Sequence, residues 1–437
     1  MNFQDDAMNA LLFFFASLYT LNLNMAERQT ILDKRIQFNI SLCKKSNGTK
    51  INLQRAAQNI VELQRGLTGK RALVGNAYMQ KAASLQAYLL YYWPVSYAQT
   101  TAALQREPRF FEAVQKIKER PIRILDLGSG PAPASCAIAD LAQGRGEQNL
   151  RFEFFLYDSS GDALSLGKKI LEGAYAKTSR VETNVCNFER TVEGAKSDVG
   201  RSAFGDGKKF DFIVASHSLN ELWKNEKKRG EKLLAFLQNV CGQLEDDGLL
   251  LLMEPALLAT SRALLEARDA LIQSGMAVLS PCLCSQAPCP ALENPNATCH
   301  FAFDWDMPSI VADLARFAGL NRADVKMTYF VFGRNGSQCQ EAVQDQEGGP
   351  DSGLSNVSAL VVSEPMLNKA GRIRYVLCDG KSRFTLSAKN GDPIASAQKF
   401  FDLRRYDKIQ IEGAQVRSQK GEPLSLGIGE GTRIYRD

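Results

Sequence analysis

The sequence predicts an α/β fold, with a mostly parallel sheet covered by helices on both faces. Three observations point to it. Between residues 119 and 334, short apolar runs alternate with segments of helical period. The first run, ILDL, leads directly into a Gly-Ser-Gly turn and then a helical pattern. The second, RFEFFLYD, ends in an acid at Asp158. A chain of 437 residues is also too long for one hydrophobic core, so more than one domain is expected.

Taken in order, residues 1–118 read as mostly helical, with helical spacing of apolar residues through 54–67 and 78–104. The second stretch carries Tyr88, Tyr91, Tyr92, Trp93 and Tyr97 and is interrupted by Pro94. An aromatic stripe at that spacing predicts core, in preference to a base-stacking platform. The apolar run 11–23, LLFFFASLYTLNL, follows Asp5 and Asp6 where a leader would be basic, and it contains Ser17, Thr20 and Asn22. A spanning helix needs about 20 apolar residues. The run therefore predicts a packing helix, and the chain is expected to be cytoplasmic, without a membrane partner. From Pro121 the pattern changes. Strands are expected at 122–127, in RFEFFLYDSS, in VETNVCNF and in FDFIVASHSLNELW, the last broken at 217–220. GLLLLMEP, MAVLSPC and MTYFVFGR complete the set, with helices in SRALLEARDALIQSG and MPSIVADLARFAG. Residues 335–355 are polar and Gly-rich, a linker. Alternating stretches in 356–437 then predict a small β-rich C-terminal domain.

The formal net charge is +5, which permits a nucleic-acid partner without requiring one. Residues 356–437 hold about 14 Lys and Arg against about 9 Asp and Glu, so the basic excess is local to that domain. It fits either a solvated surface or an RNA-facing patch.

In LDLGSGPAP, Gly128 and Gly130 follow a strand and open a helix, which lets the backbone approach a ligand without a Cβ in the way. Asp158 at the end of the next strand can accept hydrogen bonds from ribose hydroxyls. A dinucleotide fingerprint would want a third glycine, where Pro133 and its neighbours stand. Asp126 before the glycines, the acid at 158 and the polar break after the fourth strand resemble S-adenosylmethionine-dependent methyltransferases of the class I, seven-strand Rossmann-like type. That resemblance implies cofactor binding by Asp126, Gly128, Gly130, Asp158 and Ser218. No catalytic base stands out. Ser218, Asn220 and Glu221 are the polar groups at the fourth-strand end, and Asn220 and Glu221 are the catalytic candidates. Methyl transfer from a sulfonium needs positioning more than acid–base help.

Of ten cysteines, four fall in the Pro-rich stretch 281–301: Cys282, Cys284, Cys289 and Cys299. Without a secretory leader, clustered thiols bind metal more often than they pair. By themselves four cysteines fit a tetrahedral zinc or an iron–sulfur cluster. Cys43, Cys136, Cys186, Cys241 and Cys339 have no partner pattern and read as incidental thiols, and His217 and His300 as structural.

The ordered blocks LDLGSGP, YDSSGDAL, SHSLNELW, MEP with an Arg-bearing helix, a Pro-Cys loop ending in CHF, and a basic β segment containing Cys378 resemble one family from about residue 60 to 410. This is the methyltransferase-like proteins of small-ribosomal-subunit assembly, best known from mitochondria and also present in bacteria. The resemblance implies S-adenosylmethionine as cofactor, small-subunit rRNA or its precursor particle as partner, and a [4Fe–4S] cluster with zinc as the alternative. Carried onto this chain, the ligands are Cys282, Cys289, Cys299 and Cys378, with Cys284 the alternative to Cys282. No His follows the first cysteine, Thr298 precedes Cys299 where the family has Trp, and Ala256 follows MEP where the family has Gly. Two functions follow: an rRNA methyltransferase, or an assembly factor that keeps the fold and transfers no methyl group. A third is a small-molecule methyltransferase with structural zinc. The free chain is expected to be monomeric.

Overall fold

A computed structural model describes residues 25–43, 51–69, 78–144, 150–189, 204, 206–334, 356–418 and 424–436. The apolar run 11–23, the linker 335–355 and Cys339 lie outside these residues.

Helices α1 (Met25–Cys43), α2 (Leu53–Gln64), α3 (Ala82–Ala87), α4 (Trp93–Leu104) and α5 (Pro108–Lys116) make up the N-terminal part. Asn52 caps α2 by accepting from the Arg55 amide. Pro94 does not interrupt the helical run as expected. It sits in the first turn of α4, where its missing N–H costs nothing, and a π-helical turn at Tyr88–Tyr92 joins α3 to α4.

The first sheet follows. Its elements are β1 (Ile122–Leu127), α6 (Pro133–Gln143), β2 (Phe152–Asp158), α7 (Gly161–Tyr175), β3 (Ser179–Val185), β4 (Phe210–Ser216) and α8 (Arg229–Gly242). Then come β5 (Leu244–Pro255), α9 (Leu258–Gln273), β6 (Ala277–Ser280), β7 (Phe301–Asp304), α10 (Ser309–Ala318) and β8 (Asp324–Gly333). The strand order is β3-β2-β1-β4-β5-β8-β6. Strands β3, β2, β1, β4 and β5 run parallel to one another, and β8 runs against both β5 and β6. This is the class I methyltransferase arrangement. β1 and β4 are buried along almost their whole lengths, as strands covered on both faces must be. The chain winds outward from β1 first through β2 and β3, then through β4 and β5. A switch point results at the carboxyl ends of β1 and β4. Strand β7 was not expected. It pairs with Asp324–Met327 of β8 while β6 pairs with the far end of the same strand. The cysteine loop therefore leaves and rejoins one sheet edge.

The C-terminal unit holds β9 (Val357–Val361), β10 (Met366–Leu367), β11 (Arg372–Cys378), β12 (Arg383–Lys389), α11 (Pro393–Ala397), β13 (Lys408–Glu412), β14 (Gln415–Val416), β15 (Ser425–Gly427) and β16 (Arg433–Arg436). Their order is β14-β15-β12-β11-β9-β13-β16. One face, with Tyr375, Leu377, Phe384 and Leu386, encloses its own core. On the other, Leu360, Val362, Val376, Cys378 and Tyr406 join the core of the first sheet. Among the described residues, no helix is long and apolar enough to cross a membrane.

Candidate functional site

The glycine loop is held from two sides. The amides of Gly128 and Ser129 both donate to the Tyr157 carbonyl, which ties the end of β1 to β2. Gly128 has φ +74°, and a Cβ there would stand 2.3 Å from the Ser218 Cβ. Ser218 in turn donates to the Leu127 carbonyl at 2.7 Å, so the start of the β4 loop closes directly over the glycine. Only glycine fits. Gly130, at φ +51°, has nothing within 4 Å of where a Cβ would be, and its amide donates to Asp158 at 2.8 Å. The other carboxylate oxygen of Asp158 accepts from the Ser160 amide at 2.8 Å. Burial pushes Asp158 up despite these donors.

Gly128, Gly130, Asp158, Ser218, Asn220 and Glu221 line one cavity of about 430 Å³ at the switch point. Asp126 is not among its lining residues. It lies behind the loop, buried, and accepts from the Ser135 hydroxyl at 2.7 Å and amide at 3.3 Å, fixing the first turn of α6. Burial raises it to about 7.

At the end of β4 the backbone turns through His217 at φ +60°. Asn220 then hangs from Glu254, the acid of the MEP block. Glu254 accepts from the Asn220 amide at 2.9 Å and from its Nδ2 at 2.7 Å, while Nδ2 also donates to the His217 carbonyl. Burial lifts Glu254 from 4.5 to about 8 against the pull of those donors. A carboxyl with a raised folded pKa is protonated on folding. Its stabilising contribution is complete below the unfolded value and is lost as pH rises through about 8. Glu254→Gln removes that titration. The stability of wild type relative to Glu254→Gln is expected to fall between about pH 4.5 and 8, by at most about 5 kcal/mol. Urea unfolding of both proteins across this range checks it, and parallel curves would refute it.

Sequence reasoning missed several groups at this cavity. Tyr88, Tyr92 and Gln99 of the N-terminal helical part form one wall, with Arg322 and Lys326 beside them and Cys186 and His217 exposed to the same space. Trp93 secures the wall by donating from Nε1 to the Pro131 carbonyl in the glycine loop, at 2.9 Å. Nothing local in the sequence pairs helix α4 with that loop. The aromatic stripe is core, as expected, at Tyr91, Trp93 and Tyr97, while Tyr88 and Tyr92 also face the cavity.

The cysteines gather where the two sheets meet. Burial raises the thiol of Cys289 to about 12, with Cys299 and Cys282 as the next causes. Cys378 is raised by burial, then by Cys299 and Cys282. Cys282 is raised by burial, with Arg268 opposing and Cys299 adding. Cys282 and Cys299 thus lie near each other and near both Cys289 and Cys378, although residue 378 is distant in sequence. Cys284 takes a different place, its sulfur 2.4 Å from where a Cβ on Gly380 would stand. Around them, Tyr406 Oη lies 3.3 Å from Cys299 Sγ, and Asp269 accepts from the Cys289 amide at 2.8 Å while pairing with buried Arg268. Among the described residues, no three His, Cys, Asp or Glu side chains stand at metal-binding geometry. The donor set is nevertheless one that fits a thiolate-bound centre, being four sulfurs with a buried guanidinium beside them to offset negative charge. Cys136 and Cys241 are buried away from this group, and Cys43 is half-buried.

No curated protein matches the chain in sequence. Among solved structures it is similar to an S-adenosylmethionine-dependent methyltransferase from Agrobacterium tumefaciens, with 12% identity and TM-score 0.32 over 55% of this chain and 63% of that one. The chain thus spans less than two thirds of that protein's length. It is also similar to a magnesium protoporphyrin IX methyltransferase from Synechocystis PCC 6803 (12%, TM-score 0.31, 66% and 99%) and an rRNA methylase from Streptococcus thermophilus (12%, TM-score 0.29, 51% and 93%). The sheet order carries the fold, and these scores carry no argument about activity. One family model, described as mitochondrial small ribosomal subunit Rsm22, matches residues 82–397. That match takes in both the glycine loop and all of the clustered cysteines, and the chain belongs to the Rsm22 family.

Proposed function

We propose that this protein is an S-adenosylmethionine-binding, methyltransferase-like factor of small-ribosomal-subunit assembly, bound to small-subunit rRNA, with a cysteine-ligated iron–sulfur cluster. The observation that carries the cofactor reading is the junction of Gly130 and Asp158, where an open glycine turn and a half-buried acid meet at the mouth of one cavity. The glycine backbone suits the methionine portion of the cofactor, and Asp158 suits the ribose hydroxyls. The family description supports the ribosomal context. The basic excess of 356–437 supports an RNA partner. Cys282, Cys289, Cys299 and Cys378 would hold the metal centre and join the C-terminal unit to the first sheet. Bound there, a cluster would supply cross-linking of the two units.

Titration calorimetry tests the cofactor reading. S-adenosylmethionine is expected to bind wild type, and Asp158→Ala to weaken it by about tenfold or more, a loss typical of one charged hydrogen-bonding group. No heat and no thermal protection in wild type would remove the cofactor. Depletion is expected to leave immature small-subunit particles. Full rescue by Asp158→Ala would favour a non-catalytic assembly factor, and failure by a folded variant the methyltransferase.

A further inference from the structure

The two faces of the C-terminal sheet differ in chemistry. Side chains alternate along a strand, so Tyr375 and Leu377 of β11 turn with Phe384 and Leu386 of β12 into that unit's own core. The opposite face carries Arg372, Arg374 and Cys378 of β11 against Lys389, Ser387 and Arg383 of β12. Strand β15 continues this face with Gly427 beside Ser387, and β14 closes the edge with Gln415 opposite Gly427. Val376 and Cys378 pack on the first core, so that end of the face is covered. Arg372 lies at the other end of β11, roughly 20 Å away at the rise of an extended strand, and there the face is open.

That open end is basic. Arg374, Lys389 and Arg417 are exposed and Arg372 is half-buried. Arg372 and Lys389 are direct cross-strand partners, a like-charge pairing that works against folding. Arg372 donates from Nη2 to the Ser387 carbonyl at 3.1 Å. Arg417 crosses Gly427 so closely that a Cβ there would collide with its guanidinium, and Gly427 is the strand neighbour of Ser387. Two guanidiniums thus converge on one serine. Burial and then the like charge of Arg372 lower Arg417, with Asp392 opposing, and Asp392 is itself taken up by the Ile394 and Ala395 amides. Other arginines of this unit have carboxylate partners, Arg405 in Glu364 and Arg436 in Asp407. Among the described residues, Arg372, Arg374, Lys389 and Arg417 have none. On this face β11, β12, β14 and β15 present no carboxylate and no aromatic ring.

We infer that this open end of the sheet face, made by Arg372, Arg374, Lys389 and Arg417, binds the phosphate backbone of RNA. This rests on the RNA reading above and assigns it a surface. Clustered like charges oppose folding, and a bound polyanion offsets that cost. Guanidinium forks match phosphate oxygens, and such contacts position a strand without reading its sequence. An acidic protein would need an aromatic or apolar anchor at the centre of its interface, and the open end offers no ring for that. Because the surface lies at the far end of β11 from the cysteines, RNA can bind there without parting the two units.

Fluorescence anisotropy of the full chain with an unpaired RNA of about 16 nucleotides, across about 50–200 mM salt, tests this. Wild-type affinity is expected to fall steeply with salt. Arg372→Gln, Arg374→Gln, Lys389→Gln and Arg417→Gln together should weaken binding by about tenfold or more. They should also lower the salt slope by about 3, at roughly 0.7 for each phosphate contact on a single strand. As a control, Lys168→Gln, Lys169→Gln, Lys177→Gln and Arg180→Gln remove the same formal charge from the α7–β3 segment and should leave the slope unchanged. Arg372→Lys, Arg374→Lys and Arg417→Lys keep the charge and should keep the slope. Thermal melting shows whether each variant is folded. If the quadruple face variant unfolds, Lys389→Gln and Arg417→Gln singly should each lower the slope by about 0.7. No RNA binding by wild type would remove the RNA reading and the inference with it. Affinity and slope that survive in the folded face variants, or that fall equally in the control, would overturn the inference and leave the RNA reading standing. Poly-glutamate that displaces the RNA at an equal concentration of charge would make the face a general anion surface and overturn the RNA assignment.

Discussion

Protein purified without oxygen is expected to be brown, with iron and inorganic sulfide, and to lose both when Cys282, Cys289, Cys299 or Cys378 is changed to Ser. Cys284→Ser should keep them, because that sulfur packs against Gly380, whereas Cys289 and Cys378 both neighbour Cys282 and Cys299. The effect on structure should be large. Binding free energies of structural zinc sites reach about 10–16 kcal/mol and are available to folding only while every ligand is present. Besides the proposed ligands, the two units are joined near this point by Arg383 to the Thr298 carbonyl, Arg404 to Asp304, and Tyr406 stacked on Phe301 at 5.4 Å. The Arg404–Asp304 pair is exposed and adds little, while Leu360, Val362 and Val376 pack on the first core, so the centre reinforces an apolar junction. Hydrogen exchange in β11 and β9 should rise in each Ser variant that loses metal. Zinc without iron in the anaerobic protein would replace the cluster by a tetrahedral thiolate site. No metal at all, with exchange unchanged in the variants, would end the proposal for this centre.

How much of this was legible beforehand depends on the range of the interactions. Strands β1, β2, β4, β5 and β8 are long apolar runs bounded by turn residues, so local pattern suffices to see them. Strand β7 has four residues beside an irregular loop and exists only because β8 offers an unpaired edge. The direction of β8 was likewise invisible, since alternation of strands and helices does not report how a strand returns after an insertion. At the site, Gly128, Gly130 and Asp158 are read from spacing because their geometry is made by adjacent elements. Asp126 shows the limit of that method. It stands next to the loop in sequence, yet its carboxylate is spent on Ser135 behind the cavity. His217 and Gln99 are the reverse case. Their roles come from a contact across 118 positions, which no local motif encodes. Cys378 was reached only through the family resemblance, and the structure brings it to Cys299 and Cys282 because one face of β11 packs on the first core.

Asp140→Ala is expected to be the most damaging single substitution outside the cysteine cluster. Asp140 sits in α6, buried, and gathers three other helices. Arg35 of α1 donates to it from Nε at 2.9 Å and Nη2 at 2.5 Å, Tyr97 of α4 at 2.8 Å and Tyr175 of α7 at 2.6 Å. The Arg35 guanidinium also lies 4.9 Å from the Tyr175 ring. Although burial opposes its charge, the hydrogen bond to Asp140 holds Arg35 firmly cationic, and burial keeps both tyrosines protonated. Removing the carboxylate strands a mostly buried cation and two buried phenols, and breaking such a pair on one side costs about 3–5 kcal/mol. Urea unfolding should show a loss of that size, and a change under about 1 kcal/mol would refute the assignment. Arg35→Met together with Asp140→Leu should recover much of it, since an apolar replacement leaves no unpaired charge. The consequence reaches the site. Helix α4 carries Gln99 on the cavity side and Tyr97 on the Asp140 side, and Trp93 ties it to the glycine loop. Loosening Asp140 should therefore weaken S-adenosylmethionine binding at the cavity at urea concentrations where the sheet itself stays folded. If the two transitions coincide, α4 unfolds with the sheet as one unit.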